Sequence, residues 1–145
     1  MIYTYAYPRP AVTVDIIVLN EIEESSQILL IERKQEPFKS QWALPGGFVD
    51  IDEEIKNAAY RELEEETSIK EINLTQFHTF GKIDRDPRGR TISIIYSGTL
   101  LNMNQKIEAG DDAKNLKWFD INNLPKIAFD HNDIIDKFLQ YKKSS

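Results

Sequence analysis

The chain has 145 residues, enough for one compact domain with one core. Apolar residues make up 41% and charged residues 29%, a balance that argues for a globular fold and against disorder. The net charge of −6 weighs against a bulk nucleic-acid binder, and the absence of cysteine excludes disulfides, zinc thiolates and thiol nucleophiles.

The first residues, Met1 to Ala6, carry no basic run and no long apolar run, so no signal peptide is read. No stretch of about 18 apolar residues follows, which leaves no membrane span and makes the cytoplasm the expected location. After Pro8 and Pro10, residues 11–19 (AVTVDIIVL) are rich in β-branched side chains and predict a strand. Residues 27–32 (QILLIE) predict its partner, beyond a polar turn. Trp42 to Leu44 form a short apolar run before Pro45-Gly46-Gly47, a strong turn signal, and Phe48-Val49 resume briefly. The most periodic segment is a helix expected from Asp52 or Glu53 to about Thr67, with Asp52 as N-cap and Glu53 and Glu54 at the positive end of its dipole. Residues 72–83 and 91–101 read as two strands flanking the turn-rich run DRDPRGR, and so predict a hairpin. A short strand at 116–119 and a C-terminal helix over 130–141 complete the chain. Strands enclosing one helix, with a second at the end, predict a mixed sheet with helices packed on it.

The segment Tyr60-Arg61-Glu62-Leu63-Glu64-Glu65-Glu66-Thr67 carries the chemistry. At about 100° per residue from Ile55, Glu62 and Glu66 each fall about 20° from the reference, inside the apolar arc of Ala59 and Leu63. Glu65 lies at the edge of that arc, and Glu64 points the opposite way. A solvated acidic face explains Glu64 but places Glu62 and Glu66 badly. Their i,i+4 repulsion costs roughly 0.2–0.5 kcal/mol, and acids near a helix C-terminus oppose the dipole by about 0.3–1 kcal/mol. A divalent cation offsets both costs. Three carboxylates at i, i+3 and i+4 offer hard oxygens within one turn, which suits Mg²⁺.

With these residues in view, the chain resembles the Nudix hydrolases. Their signature reads here as Gly47, Glu53, Arg61-Glu62-Leu63, Glu65-Glu66 and Ile69, at the family's spacings over residues 47–69. The single departure is Ser68, where the family has Gly at a helix end that often needs a left-handed backbone. Serine there costs on the order of 1 kcal/mol, and a loss of stability is expected more than a loss of activity.

The resemblance implies an α/β fold, the α/β/α sandwich around a mixed β-sheet, formed as a single domain over 1–145. It implies Mg²⁺, with Mn²⁺ as a substitute, held by Glu62, Glu65, Glu66 and the Gly46 carbonyl. Gly47, Glu53 and Arg61 would brace the loop–helix–loop. The stretches Glu32-Arg33-Lys34, Trp42 to Phe48, DRDPRGR, Ala109-Gly110-Asp111-Asp112 and Ala128-Phe129-Asp130-His131 are similar to the bacterial ADP-ribose pyrophosphatase group. That similarity implies hydrolysis of ADP-ribose to AMP and ribose 5-phosphate, and a homodimer. Other nucleotides (oxidised nucleoside triphosphates, dinucleoside polyphosphates, sugar nucleotides) are an alternative substrate class. A non-catalytic ADP-ribose sensor is another reading. It is opposed by the complete set of acids and by the expectation of no DNA-binding module after residue 139.

The remaining candidates have bland readings beside their functional ones. A signature carboxylate, Asp111 or Asp112 would serve as general base, the two aspartates being otherwise a capped turn after Gly110. Arg85, Arg88 and Arg90, with Arg33, would grip phosphate and ribose oxygens, or form a solvated hairpin tip. Trp42 and Phe38 would stack on a base, or pack in the core. His131 is read as a helix-start or packing residue rather than a catalyst.

Overall fold

The computed structural model describes residues 2–22, 25–110 and 113–144. Its elements are β1 (Ala11–Ile22), β2 (Ser25–Arg33), β3 (Trp42–Ala43), β4 (Gly46–Phe48), α1 (Ile55–Thr67), β5 (Thr75–Phe80), β6 (Thr91–Thr99), β7 (Ala113–Asp120) and α2 (His131–Ser144). The strands make one mixed sheet of order β3-β2-β1-β6-β5, with β4 paired to β1 and β7 to β2. The long parallel pair β1–β6 runs from Ala11↔Thr91 to Leu19↔Thr99 at its centre.

Alternation along β1 builds two layers. Val14, Ile16 and Val18 face α1 and join Ala58, Ala59 and Leu63 in one core. Ile17 and Leu19 face the other way and join Ile134, Ile135 and Phe138 of α2. The result is the α/β/α sandwich expected from the resemblance. No helix among the described residues is long and apolar enough to cross a membrane.

Strands β1 and β2 pair only between Leu19↔Ile28 and Ile22↔Ser25, and then part. Beyond the split β1 takes β4 as neighbour and β2 takes β3, while β7 pairs β2 from Gln27 to Arg33. The predicted hairpin is present as β5 and β6, with an irregularity between Gln76 and His78.

Several expectations need correction. Gly46 and Gly47 are strand residues, paired with Asp15 and Val14, so the turn ends at Pro45. The helix starts at Ile55, later than expected. Glu54 rather than Asp52 stands at its N-cap, with no side-chain capping bond. The cause is local: the Glu53 carboxylate is held by Arg61 and accepts the Asp50 N–H at 3.1 Å, which keeps 50–53 in a turn. Ile55, the reference of the helical arc, is 37% exposed, and the buried arc runs through Ala58, Ala59, Leu63, Glu66 and Thr67. Ser68 takes the left-handed conformation the family glycine implies, at φ 67°, and its N–H closes on the Glu64 carbonyl at 2.8 Å.

Candidate functional site

Where β1 and β2 separate, a cavity of about 390 Å³ opens. Its floor continues the α2-facing rows of β1 and β6, where Thr13, Asp15 and Ser93 replace the apolar side chains found further along. Thr13 Oγ1 and Ser93 Oγ are directly hydrogen-bonded across that pair.

The signature helix supplies one wall. Glu62 and Glu66 line the cavity beside Gly46 and Gly47. The Gly46 N–H points at Glu66 Oε2 at 3.3 Å. A methyl group on Gly47 would lie 2.4 Å from the Glu62 carboxylate, so the bare backbone is what lets that acid approach. Arg61 binds Glu53 through Nε at 2.6 Å and Nη2 at 2.9 Å, and bonds the Phe48 carbonyl at 3.0 Å. Its Nη1 also spans Glu62 at 2.8 Å and Glu65 at 3.1 Å. The Arg61 bond holds the Glu53 carboxyl below its usual range, despite some desolvation. Burial outweighs the same arginine at Glu62 and holds that carboxyl above its usual range.

These donors fit a divalent ion. Glu62 and Glu66 put hard oxygens on the cavity wall next to a backbone that nothing covers with a side chain. A cation there offsets the cost of a buried carboxylate, and Mg²⁺ typically takes one or two carboxylates plus substrate phosphates. Glu65 is different. It is half exposed, turned to Arg61, and outside the cavity lining. No three His, Asp or Glu side chains among the described residues form a closed metal cluster.

The basic side of the cavity comes from loops. Arg88 bonds Asp86 through Nη2 at 2.8 Å and Nε at 3.1 Å. Burial works to raise the Asp86 carboxyl, but the Arg88 bonds prevail and hold it below its usual range. The Arg88 guanidinium also lies 4.9 Å from the Phe48 and Phe129 ring centres. Arg33 lies 4.9 Å from the same Phe129 ring and donates from Nε to the Pro37 carbonyl at 2.8 Å. Arg85 is not at a solvated tip. It is buried, bidentate to Asp130 at 2.7 and 2.8 Å, and bonded to Ser93 at 2.7 Å. Arg90 bonds the Gly81 carbonyl and does not line the cavity. Trp42 is also outside it, edge-on to Phe119 in the α2-side core, and Phe38 packs edge-on to Phe129. Asp111 and Asp112 lie outside the described residues.

Sequence reasoning missed the buried pair at the floor. Asp15 Oδ2 lies 3.8 Å from His131 Nε2. His131 Nδ1 accepts the Leu44 N–H at 3.0 Å, so a neutral ring carries its proton on Nε2, towards Asp15. Burial pushes the Asp15 carboxyl up, against His131 and Arg85, and pushes the His131 imidazole down, against Asp15. One signal was available: Asp15 is the lone charge in AVTVDIIVL. Asp86 and Asp130 stand in stretches that carry the resemblance, but their partners, Arg88 and Arg85, are set by loop geometry.

The family model described as the NUDIX domain matches residues 9–139. The ADP-ribose pyrophosphatase of Methanocaldococcus jannaschii is 46% identical over 136 residues, 94% of this chain and 77% of that protein. The ADPR responsive transcriptional repressor NtrR of Acinetobacter baylyi is 36% identical across 90% of this chain, which spans only 54% of the repressor. Among solved structures, the NUDIX domain of Shewanella oneidensis NrtR complexed with ADP ribose aligns with a TM-score of 0.84. That likeness has 27% identity and covers 94% of this chain and 90% of the other.

Proposed function

Since the chain belongs to the NUDIX domain family, we propose that its cavity hydrolyses the diphosphate linkage of ADP-ribose, giving AMP and ribose 5-phosphate. The observation that carries the reading is the meeting of Glu62 and Glu66 with Arg33 and Arg88 around one cavity, the two kinds of charge that a diphosphate and its counter-ion require. The 46% identity to an ADP-ribose pyrophosphatase supports the choice of substrate.

Glu62, Glu66 and the Gly46 carbonyl would hold Mg²⁺, joined by Glu65 if it turns from Arg61. When bound, the ion supplies charge neutralisation at phosphoryl oxygens. Arg33 and Arg88 bind the diphosphate oxygens and fix the reacting phosphorus in place. Arg61 and Glu53 keep the signature helix in register with β4. A carboxylate of the signature, or Asp111 or Asp112, takes the proton of the attacking water. Positioning and charge stabilisation supply most of the rate gain, as in phosphoryl transfer generally.

The test is a substrate panel of ADP-ribose, NADH, sugar nucleotides and 8-oxo-dGTP, with Mg²⁺ and with chelator, and products separated by chromatography. AMP from ADP-ribose, lost on chelation, is the expected result. Fast turnover of another compound with none of ADP-ribose removes the substrate assignment. A second reading, ADP-ribose sensing without turnover, draws on the similarity to the repressor. Tight binding with no AMP formed would favour it.

A further inference from the structure

Phe129 packs against the small core of Ile31, Ala43 and Ala128, and is strained and partnered by cations besides. Its φ is +56°, a left-handed conformation that bulky side chains rarely adopt unless the surroundings impose it. The ring it meets edge-on, Phe38 at 4.8 Å, belongs to a second left-handed phenylalanine with φ +62°. The strained pair places the Phe129 ring on the cavity wall. There it carries two guanidinium groups at once, Arg33 and Arg88, each with its central carbon 4.9 Å from the ring centre. The two cations are therefore no further apart than twice that distance. Asp86 already pairs Arg88 at 2.8 Å, and a ligand carrying two adjoining negative groups adds an acceptor for each guanidinium.

We propose that Phe129 is a specificity-determining positioning residue, holding Arg33 and Arg88 as a two-cation clamp for ligands with two neighbouring phosphate groups. The inference rests on reading this cavity as a diphosphate site. A single phosphate engages one guanidinium and gains little from the ring. A diphosphate engages both, and each cation is kept in place by its contact with the aromatic face. The clamp acts on binding. It selects for the linkage and leaves chemistry at phosphorus to the carboxylates.

Methylenediphosphonate and methylphosphonate, neither of which can be cleaved at a P–O–P bond, probe the clamp in calorimetric titrations with Mg²⁺ present. Phe129→Leu should weaken methylenediphosphonate by about tenfold while leaving methylphosphonate within about twofold, and Phe129→Tyr should restore the preference. With a turned-over substrate, the leucine variant should raise KM by a larger factor than it lowers kcat. Equal losses for both probes, or none for either, would overturn the proposal. Should Phe129→Leu fail to fold, Arg33→Gln, Arg88→Gln and the double variant decide. The clamp requires each single change to remove nearly all the diphosphonate preference, and additive losses refute it. Because the probes are not hydrolysed, the outcome stands whether or not the protein turns over ADP-ribose.

Discussion

Gly46 and Gly47 are neighbours in β4, yet a methyl group added to each meets different matter. At Gly46 it would lie 2.2 Å from the Val14 carbonyl, which is backbone and cannot give way. At Gly47 the obstacle is the Glu62 carboxylate, the end of a side chain that can swing aside. Gly47→Ala should therefore fold with a melting temperature close to the parent but lose activity by at least about tenfold, as its best-placed acid is displaced. Gly46→Ala should cost about 1–3 kcal/mol of stability as well. Thermal melts beside turnover assays check the contrast, and an active Gly47→Ala would sever Glu62 from the reaction. At this scale the sequence was legible where periodicity speaks. Placing Glu62 and Glu66 in the apolar arc and Glu64 in solvent follows from 3.6-residue spacing, and both arc acids wall the cavity. Phe129 was not legible, since a left-handed φ in an aromatic residue is imposed by its neighbours and leaves no trace in local propensity.

Among the elements, α1 is held more by what surrounds it than by its own ends. It lacks a side-chain N-cap, has no acid in its first turn and no base in its last. Its C-terminus stops at a serine forced to φ 67°. Ser68→Gly should therefore stabilise the fold by about 0.5–1 kcal/mol, since only the weak 3.3 Å bond from Oγ to the Glu108 carbonyl is given up. A rise of a few degrees in melting temperature is the expected reading. No rise would mean that the serine is not strained. The helix was predicted with its start too early because composition favoured Asp52 as cap, while the Arg61–Glu53 pair, eight residues apart, decided the turn. Strands with strong β-branched character, such as β1, were legible. Strand β4 was not, because Gly46-Gly47 reads as a turn until the lack of room for a side chain between β1 and α1 is known.

On the scale of the whole molecule, His131 is a cross-layer tie. It opens α2, accepts a bond from Leu44 between β3 and β4, and faces Asp15 of β1. Asp130, Arg85 and Arg33 also act on it, and burial keeps its pKa below 6.5. The unfolded chain thus takes up a proton that the fold refuses. Stability should be fully present above pH 6.5 and fall as pH drops towards the lower folded value. Asp15, raised from 3.8, works with opposite sign, costing stability as pH rises from 3.8 through its folded value, so the comparison is made against His131→Gln. Urea midpoints from pH 7.5 to 5 should show the advantage of the parent over the variant shrinking with acid. A constant difference would mean that His131 charges as readily in the fold as outside it. The sandwich itself was legible from the order of elements and from two helices with one apolar face each. The split between β1 and β2 that makes the cavity was not, because pairing registers depend on contacts across the whole chain. The central parallel ladder has one more consequence. Its partners, Ala11 and Thr91, are separated by most of the polypeptide. During synthesis the ribosome must deliver β6 before the middle of the sheet can zip. Until then β1 presents an unpaired edge, a slow, non-local step that leaves the nascent chain dependent on protection from aggregation.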